Sequence, residues 1–295
     1  MTVDEKILGM TTLIKSQSTT YGYISQGSGF FYSELADEPT GPINEEKQIG
    51  WYKVEGEWLI TNRHVVFPRI TQADGTEKET LPDVFQFYLR EVKSGKLEWL
   101  PITLNQDELK ARTRLHPNPE VDVAAIKIDD LWTGLITKDS SRHIINPMLL
   151  TNRDLPDRFP VKLESTTDVI ICSYPHEFYD VENKFPIIKS GIIASSWNSN
   201  FNGKPFFLVD AKLFPGSSGG MVLSKPVDIA VINGQLMRSD EKRSSLLGVY
   251  SGEFSHPTKD KDGNTVKEPF GLGIVWYSRL IPDIIKTGSP IGTIK

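Results

Sequence analysis

The 295-residue chain has a single cysteine, Cys172. It therefore cannot close an internal disulfide, and a cross-linked secreted scaffold is excluded. The thiol sits in the run Asp168-Val-Ile-Ile-Cys172 and reads as small apolar filler in a strand. Its isolation suits a reducing compartment, so a cytoplasmic location is expected. No apolar run approaches the ~20 residues of a membrane-spanning helix, so no membrane partner is expected. The opening Met-Thr-Val-Asp-Glu-Lys lacks a positive segment followed by an apolar one, and no secretory leader is expected. Positive charge is not in excess either. At a net charge of −5, nothing in the composition asks for nucleic acid. The five histidines and one cysteine show no zinc spacing, so neither a metal nor an organic cofactor is expected. Repeats and low-complexity tracts are also missing.

What the chain does have is a series of short β-prone runs punctuated by turn residues. With 38% apolar and 24% charged residues, it can bury a core as one large domain or two packed halves. Stretches 11–16, 21–32, 84–92 and 97–104 read as strands, the last two around Ser94-Gly95. Stretches 49–54 and 57–61 read as a hairpin turning at Glu55-Gly56. Segments 34–48, 68–82 and 105–120 are polar and read as loops. The connection between halves is placed within 129–160. Strands follow at 168–172, 187–195, 206–211 and 221–223, then polar insertions at 233–245 and 255–269, with a hairpin turn rather than a calcium loop at Asp260–Gly263. A short helix is expected within 276–286 despite Pro282. Many short strands of this kind indicate an all-β sandwich or barrel.

The chemistry centres on Pro215-Gly216-Ser217-Ser218-Gly219-Gly220. A serine hydroxyl is a weak nucleophile unless a base takes its proton and a third group orients that base. Glycines beside it let the backbone turn its N–H groups toward a developing oxyanion. Taken alone, such a run is equally a tight turn. Two other segments supply what the serine would need. Trp58-Leu-Ile-Thr-Asn-Arg-His64-Val-Val ends an apolar run with a histidine, and Val121-Asp122-Val-Ala-Ala-Ile places an aspartate at the head of a strand. The order His, Asp, Ser, with separations of 58 and 96 positions, is one known arrangement of a nucleophile–base–orienter triad. His116, His143, His176 and His256 have no such context.

These three motifs resemble those of trypsin-like (chymotrypsin-fold) serine proteases, most nearly the bacterial high-temperature-requirement branch without its following peptide-binding PDZ domain. Gly27-Ser-Gly-Phe30, Ser190-Gly-Ile-Ile-Ala194, Leu247-Gly-Val-Tyr-Ser-Gly252 and Gly271-Leu-Gly-Ile-Val-Trp276 extend the likeness over nearly the whole chain. The resemblance implies two six-stranded antiparallel β-barrels and a short C-terminal helix. Residues 1–140 would form the barrel carrying His64 and Asp122, and 141–295 the barrel carrying Ser218. It implies Ser218 as nucleophile, His64 as general base and acid, and Asp122 as orienter. The backbone N–H groups of Gly216 and Ser218, helped by Ser217, would bind the oxyanion. Lys212 would lie at the base of the primary pocket, favouring an acidic substrate residue, or else point to solvent or pair with Asp210 or Glu253. Ser251, Gly252 and Glu253 would pair with the substrate backbone. Ser217 stands where digestive relatives carry Asp, and no activation-type N-terminus is present, so activation by a new terminal amine is not expected. The implied activity is a serine endopeptidase acting on a protein or peptide. Two alternatives stay open: an enzyme latent until a partner arranges the Gly216 loop, and a non-catalytic peptide-binding module on the same fold.

Overall fold

Alternate residues along several central strands face two different cores, and this places the site at a seam. The computed structural model describes residues 3–41, 51–71, 74–131, 135, 143–145, 148–158, 162–232, 235–259, 261 and 265–290. In the strand Tyr23–Pro39, Phe31 points into one apolar cluster with Leu59, Phe85, Phe87 and Ile126, while Phe30 and Tyr32 point into another with Ile60. The strand Phe206–Asp210 does the same: Phe207 and Val209 face a third cluster, and Phe206 and Leu208 join the one that holds Phe30. Because strand side chains alternate, a strand buried on both faces reads as a continuous apolar run. The shared cluster therefore glues the two halves together, with Cys172, Met221 and Leu223 from the second half and Ile281 and Ile284 from the C-terminal helix Leu280–Thr287. Truncating a wholly buried residue such as Leu59 to Ala costs about 2–5 kcal/mol.

The second half is a closed barrel. Its strands run Asp168–Ser173, Ile187–Ile193, Phe206–Asp210, Thr265–Tyr277, Leu246–Lys259 and Met221–Ser224, the last pairing back with the first. A second closed barrel is not shown for the first half among the described residues. That half is a ten-stranded sheet whose ladder does not close among them. Lys96–Asn105 bonds to Val84–Lys93 on one side. The chain then leaves the sheet in the helix Gln106–Arg112, which buries Leu109 in the core. That helix replaces an expected loop. Asn105 accepts from the Asp107 and Glu108 N–H groups, and Glu108 reaches back to the Asn105 N–H, a complete capping box. The sheet also draws strands from beyond residue 140, His143–Ile145 and Leu150–Thr151.

Two expectations are corrected. The hairpin at Glu55-Gly56 is one strand, Tyr52–Thr61, with a bulge where Glu34 faces Gly56 and Leu35 faces Val54. Segment 68–82 contains a small ribbon of Arg69–Thr71 with Glu77–Glu79. The polar insertions form hairpins: Gln235–Arg243 returns along Val227–Ile232, and Leu246–Lys259 along Thr265–Tyr277. Apart from Lys261, the Asp260–Gly263 turn lies outside the described residues. At the N-terminus the helix Val3–Met10 precedes the first strand.

Candidate active site

His64 and Asp122 meet because two neighbouring strands end together. In the antiparallel ladder of Tyr52–Thr61 with Ala124–Lys127, Thr61 faces Ala124. Three residues past Thr61, in the short helix Arg63–Val66, sits His64; two residues before Ala124 sits Asp122. One carboxylate oxygen, Asp122 Oδ1, accepts the His64 backbone N–H at 2.9 Å. The other, Oδ2, lies 2.7 Å from His64 Nδ1. A carboxylate only accepts, so Nδ1 carries a hydrogen, and in the neutral imidazole Nε2 then keeps its lone pair. Arg63 anchors the helix from its far side by a paired contact to Glu79 in the ribbon, with Nη2 2.9 Å from Oε2.

Ser218 arrives from the second half on the loop before Met221–Ser224. Buried peptide groups must find partners, and in this loop the exceptions are informative. The Pro215 carbonyl accepts from His176 N–H at 2.9 Å, the Ser217 carbonyl from Gly220 N–H at 2.9 Å, and the Ser218 carbonyl from Ser28 N–H at 2.7 Å. The Gly216 carbonyl accepts from the Ser28 hydroxyl at 2.9 Å. Ser217 N–H is spent on the Phe214 carbonyl, 3.1 Å away, so Ser217 is not available as the third oxyanion donor expected from the motif. Among the described residues, only the N–H groups of Gly216 and Ser218 in the 216–220 run have no acceptor. Two glycines make this path feasible. Gly216 has φ +89° and Gly219 φ +83°, and a Cβ on Gly219 would lie 2.0 Å from the Ser28 carbonyl oxygen.

The Ser218 hydroxyl does not address His64 in this structure. It donates to the Ser251 carbonyl at 2.8 Å. Ser251 does more than its expected role as a pocket-wall residue. Its hydroxyl donates to Asp122 Oδ2 at 2.6 Å, so that oxygen is held by both the imidazole and Ser251. Asn62, which sequence reasoning did not single out, is fully buried. Its Nδ2 donates to the Asp122 carbonyl at 2.6 Å and its Oδ1 accepts from Gly219 N–H at 2.5 Å. Asn62 thus ties the aspartate of one half to the serine loop of the other. An Asn just before a helix reads as an N-cap, yet its side chain makes no capping bond.

Of the residues expected at the substrate pocket, Lys212 is exposed, and no ion pair joins it to Asp210 or Glu253 among the described residues. Gly252 and Glu253 face Ile274 and Gly273 on one side. The opposite neighbour, Met221–Ser224, pairs only with the Leu246–Val249 part of that strand. The described residues hold no group of three or more potential metal ligands, and no described helix is long and apolar enough to cross a membrane.

Solved structures align with the chain at low identity. The Rv3671c protease from M. tuberculosis in its active form is 16% identical, with a TM-score of 0.43 over 98% of this chain and 83% of that one. The protease Anisep from Arthrobacter nicotinovorans is 11% identical, with a TM-score of 0.46 over 93% and 92%. A mutant of the Tobacco Etch Virus protease is 8% identical, with a TM-score of 0.44 over 97% and 82%. No curated protein sequence matches the chain. The family assignment rests instead on the sequence match to the trypsin-like peptidase domain, which spans residues 27–226 and so takes in His64, Asp122 and Ser218 together. The chain belongs to the trypsin-like peptidase family.

Proposed function

We propose that the chain is a serine endopeptidase that cleaves peptide bonds through Ser218, His64 and Asp122 by way of an acyl-enzyme. The observation that carries this reading is the pair of unengaged N–H groups, Gly216 and Ser218, on a loop whose Pro215, Gly216, Ser217 and Ser218 carbonyls are each occupied. Such donors cost no rearrangement when charge develops, and removing one typically costs about 10²–10³ in kcat. The likeness of the runs 27–30, 61–65 and 215–220 supports a relationship to the bacterial high-temperature-requirement branch.

In this reading an extended peptide adds as a strand along 251–253, whose outer edge has no ladder partner among the described residues. The Ser218 hydroxyl turns from the Ser251 carbonyl to His64 Nε2, loses its proton there and attacks the substrate carbonyl carbon. The carbonyl oxygen, now an oxyanion, takes the N–H groups of Gly216 and Ser218. The imidazolium, stabilised by Asp122, gives the proton to the leaving amine as the C–N bond breaks. Water repeats the sequence on the acyl-enzyme and restores Ser218. Neither a metal nor an organic cofactor takes part.

One observation favours a second reading, a latent enzyme awaiting a protein partner: the Ser218 hydroxyl is engaged by the Ser251 carbonyl. Digestion of unfolded casein separates the two. The first reading predicts fragments from wild-type protein and none from Ser218→Ala or His64→Ala. Intact casein beside folded wild-type protein would overturn constitutive activity.

A further inference from the structure

Ser28 is buried to 1% exposure on the strand Tyr23–Pro39, in the opposite half from the serine loop. All four of its polar functions are used. Its N–H donates to the Ser218 carbonyl at 2.7 Å. Its hydroxyl donates to the Gly216 carbonyl at 2.9 Å and accepts from Tyr174 N–H at 2.9 Å. Its carbonyl accepts from the Thr61 hydroxyl at 2.7 Å. One residue therefore grips the loop on both sides of Ser217.

The grip matters because of Gly216. A glycine at φ +89° has neighbours that rotate at little steric cost. In a trans peptide the carbonyl and the next N–H point in opposite directions. Fixing the Pro215 carbonyl on His176 N–H thus turns the Gly216 N–H the other way. Fixing the Gly216 carbonyl on Ser28 does the same for the following plane, whose Ser217 N–H rests on Phe214. Ser217 offers no carboxylate for an ion pair. Its hydroxyl meets Ser173 Oγ at 3.2 Å. Orientation of the loop is therefore left to neutral hydrogen bonds, and those crossing from the first half converge on Ser28 and Asn62.

We propose that Ser28 is a positioning residue for the oxyanion donors: its hydroxyl, bridging Tyr174 N–H and the Gly216 carbonyl, fixes the Gly216–Ser217 peptide that links the two donor planes, and so keeps the Gly216 and Ser218 N–H groups facing the reacting carbonyl. This rests on the serine-hydrolase reading and goes beyond it by assigning the device that keeps the hole formed. Ser28→Ala removes the hydroxyl and leaves both of its partners unpaired. Thr113→Val serves as the control. Thr113 is equally buried, its hydroxyl donates to the Leu109 carbonyl at 2.6 Å, and it lies outside the site.

The test is the saturation kinetics of phosphonylation by an alkyl fluorophosphonate, with thermal midpoints measured in parallel. In Ser28→Ala the limiting rate should fall 10- to 100-fold at an unchanged half-saturating concentration. In Thr113→Val the midpoint should fall with the rate unchanged. A Ser28→Ala rate equal to that of Thr113→Val would overturn the positioning role while leaving the hydrolase reading standing. Crystal structures of wild type and Ser28→Ala judge the proposal independently of activity, including the case where wild type itself does not react. A rotated peptide at Gly216 in the variant supports it, and the same loop geometry in both overturns it.

Discussion

Replacing Asn62 separates its two hydrogen bonds, and the structure sets the size of each effect. Asn62 is fully buried, and Asn62→Ala strips the Asp122 carbonyl of its 2.6 Å donor. Gly219 N–H loses Asn62 Oδ1 but keeps the Tyr250 carbonyl at 2.8 Å. The loss is thus one orphaned acceptor in the interior, about 1–3 kcal/mol, with a small contribution from the missing side-chain atoms. We expect a total of about 2–3 kcal/mol. Asn62→Asp is nearly isosteric and can still accept from Gly219. It cannot donate when ionised, and it sets a buried charge against a carbonyl oxygen beside Asp122. Such an unpaired buried charge costs about 3–5 kcal/mol, so at pH 8 this variant should be the less stable of the two. Burial favours the protonated carboxyl, which regains a donor. The gap between the variants should therefore close as pH falls. Guanidinium unfolding followed by tryptophan fluorescence measures both, with constant m-values as the check on two-state behaviour. Asn62→Ala within about 0.5 kcal/mol of wild type, or Asn62→Asp the more stable variant at pH 8, would refute the reasoning.

Ser251→Ala removes the 2.6 Å bond to Asp122 Oδ2 but leaves the backbone carbonyl that holds Ser218. Fluorophosphonate labelling should slow by roughly 10-fold, with stability down by about 1.5–3 kcal/mol as expected for a bond to a charged group. Burial pushes the Cys172 thiol up to about 12, which leaves a thiolate fraction of about 10⁻⁴ at pH 8. An aromatic disulfide reagent should find no thiol in the native protein and one after denaturation; rapid native reaction would contradict the buried placement. Arg112 binds Asp130 through Nη1 at 2.6 Å and Nη2 at 2.8 Å, and this hydrogen bonding draws the Asp130 carboxyl down to about 2. A lowered folded-state pKa stabilises above the unfolded value, so the advantage over Asp130→Asn should be full above about pH 4 and vanish toward pH 2. Because Asp130 is largely exposed, the difference should stay below about 1 kcal/mol.

The three motif segments stood out because a nucleophile, a base and its orienter each call for particular neighbours in the chain. The hairpin at Ser94-Gly95 was legible because both residues take positive φ, 51° and 75°, which this short turn chemistry demands. Gly56 misled. A glycine within a β-prone run marks a turn, a bulge or a close approach, and here it is a bulge with the Trp58 indole 2.9 Å from where its Cβ would sit. The helix Gln106–Arg112 carried its signal in Asn105 and Glu108, hidden within a polar stretch. The contacts of Ser251 with Asp122 and of Ser28 with Gly216 span 129 and 188 positions. No local pattern encodes them, since they arise only when the two halves meet across the shared core.

The central claim is that Ser218 is a nucleophile activated by His64. It is tested most directly by treating folded protein with a fluorophosphonate and mapping the adduct by peptide mass spectrometry. The account predicts one adduct on Ser218, lost when His64 is replaced by Ala. Folded wild-type protein that takes up no label, or labels equally without His64, would contradict it.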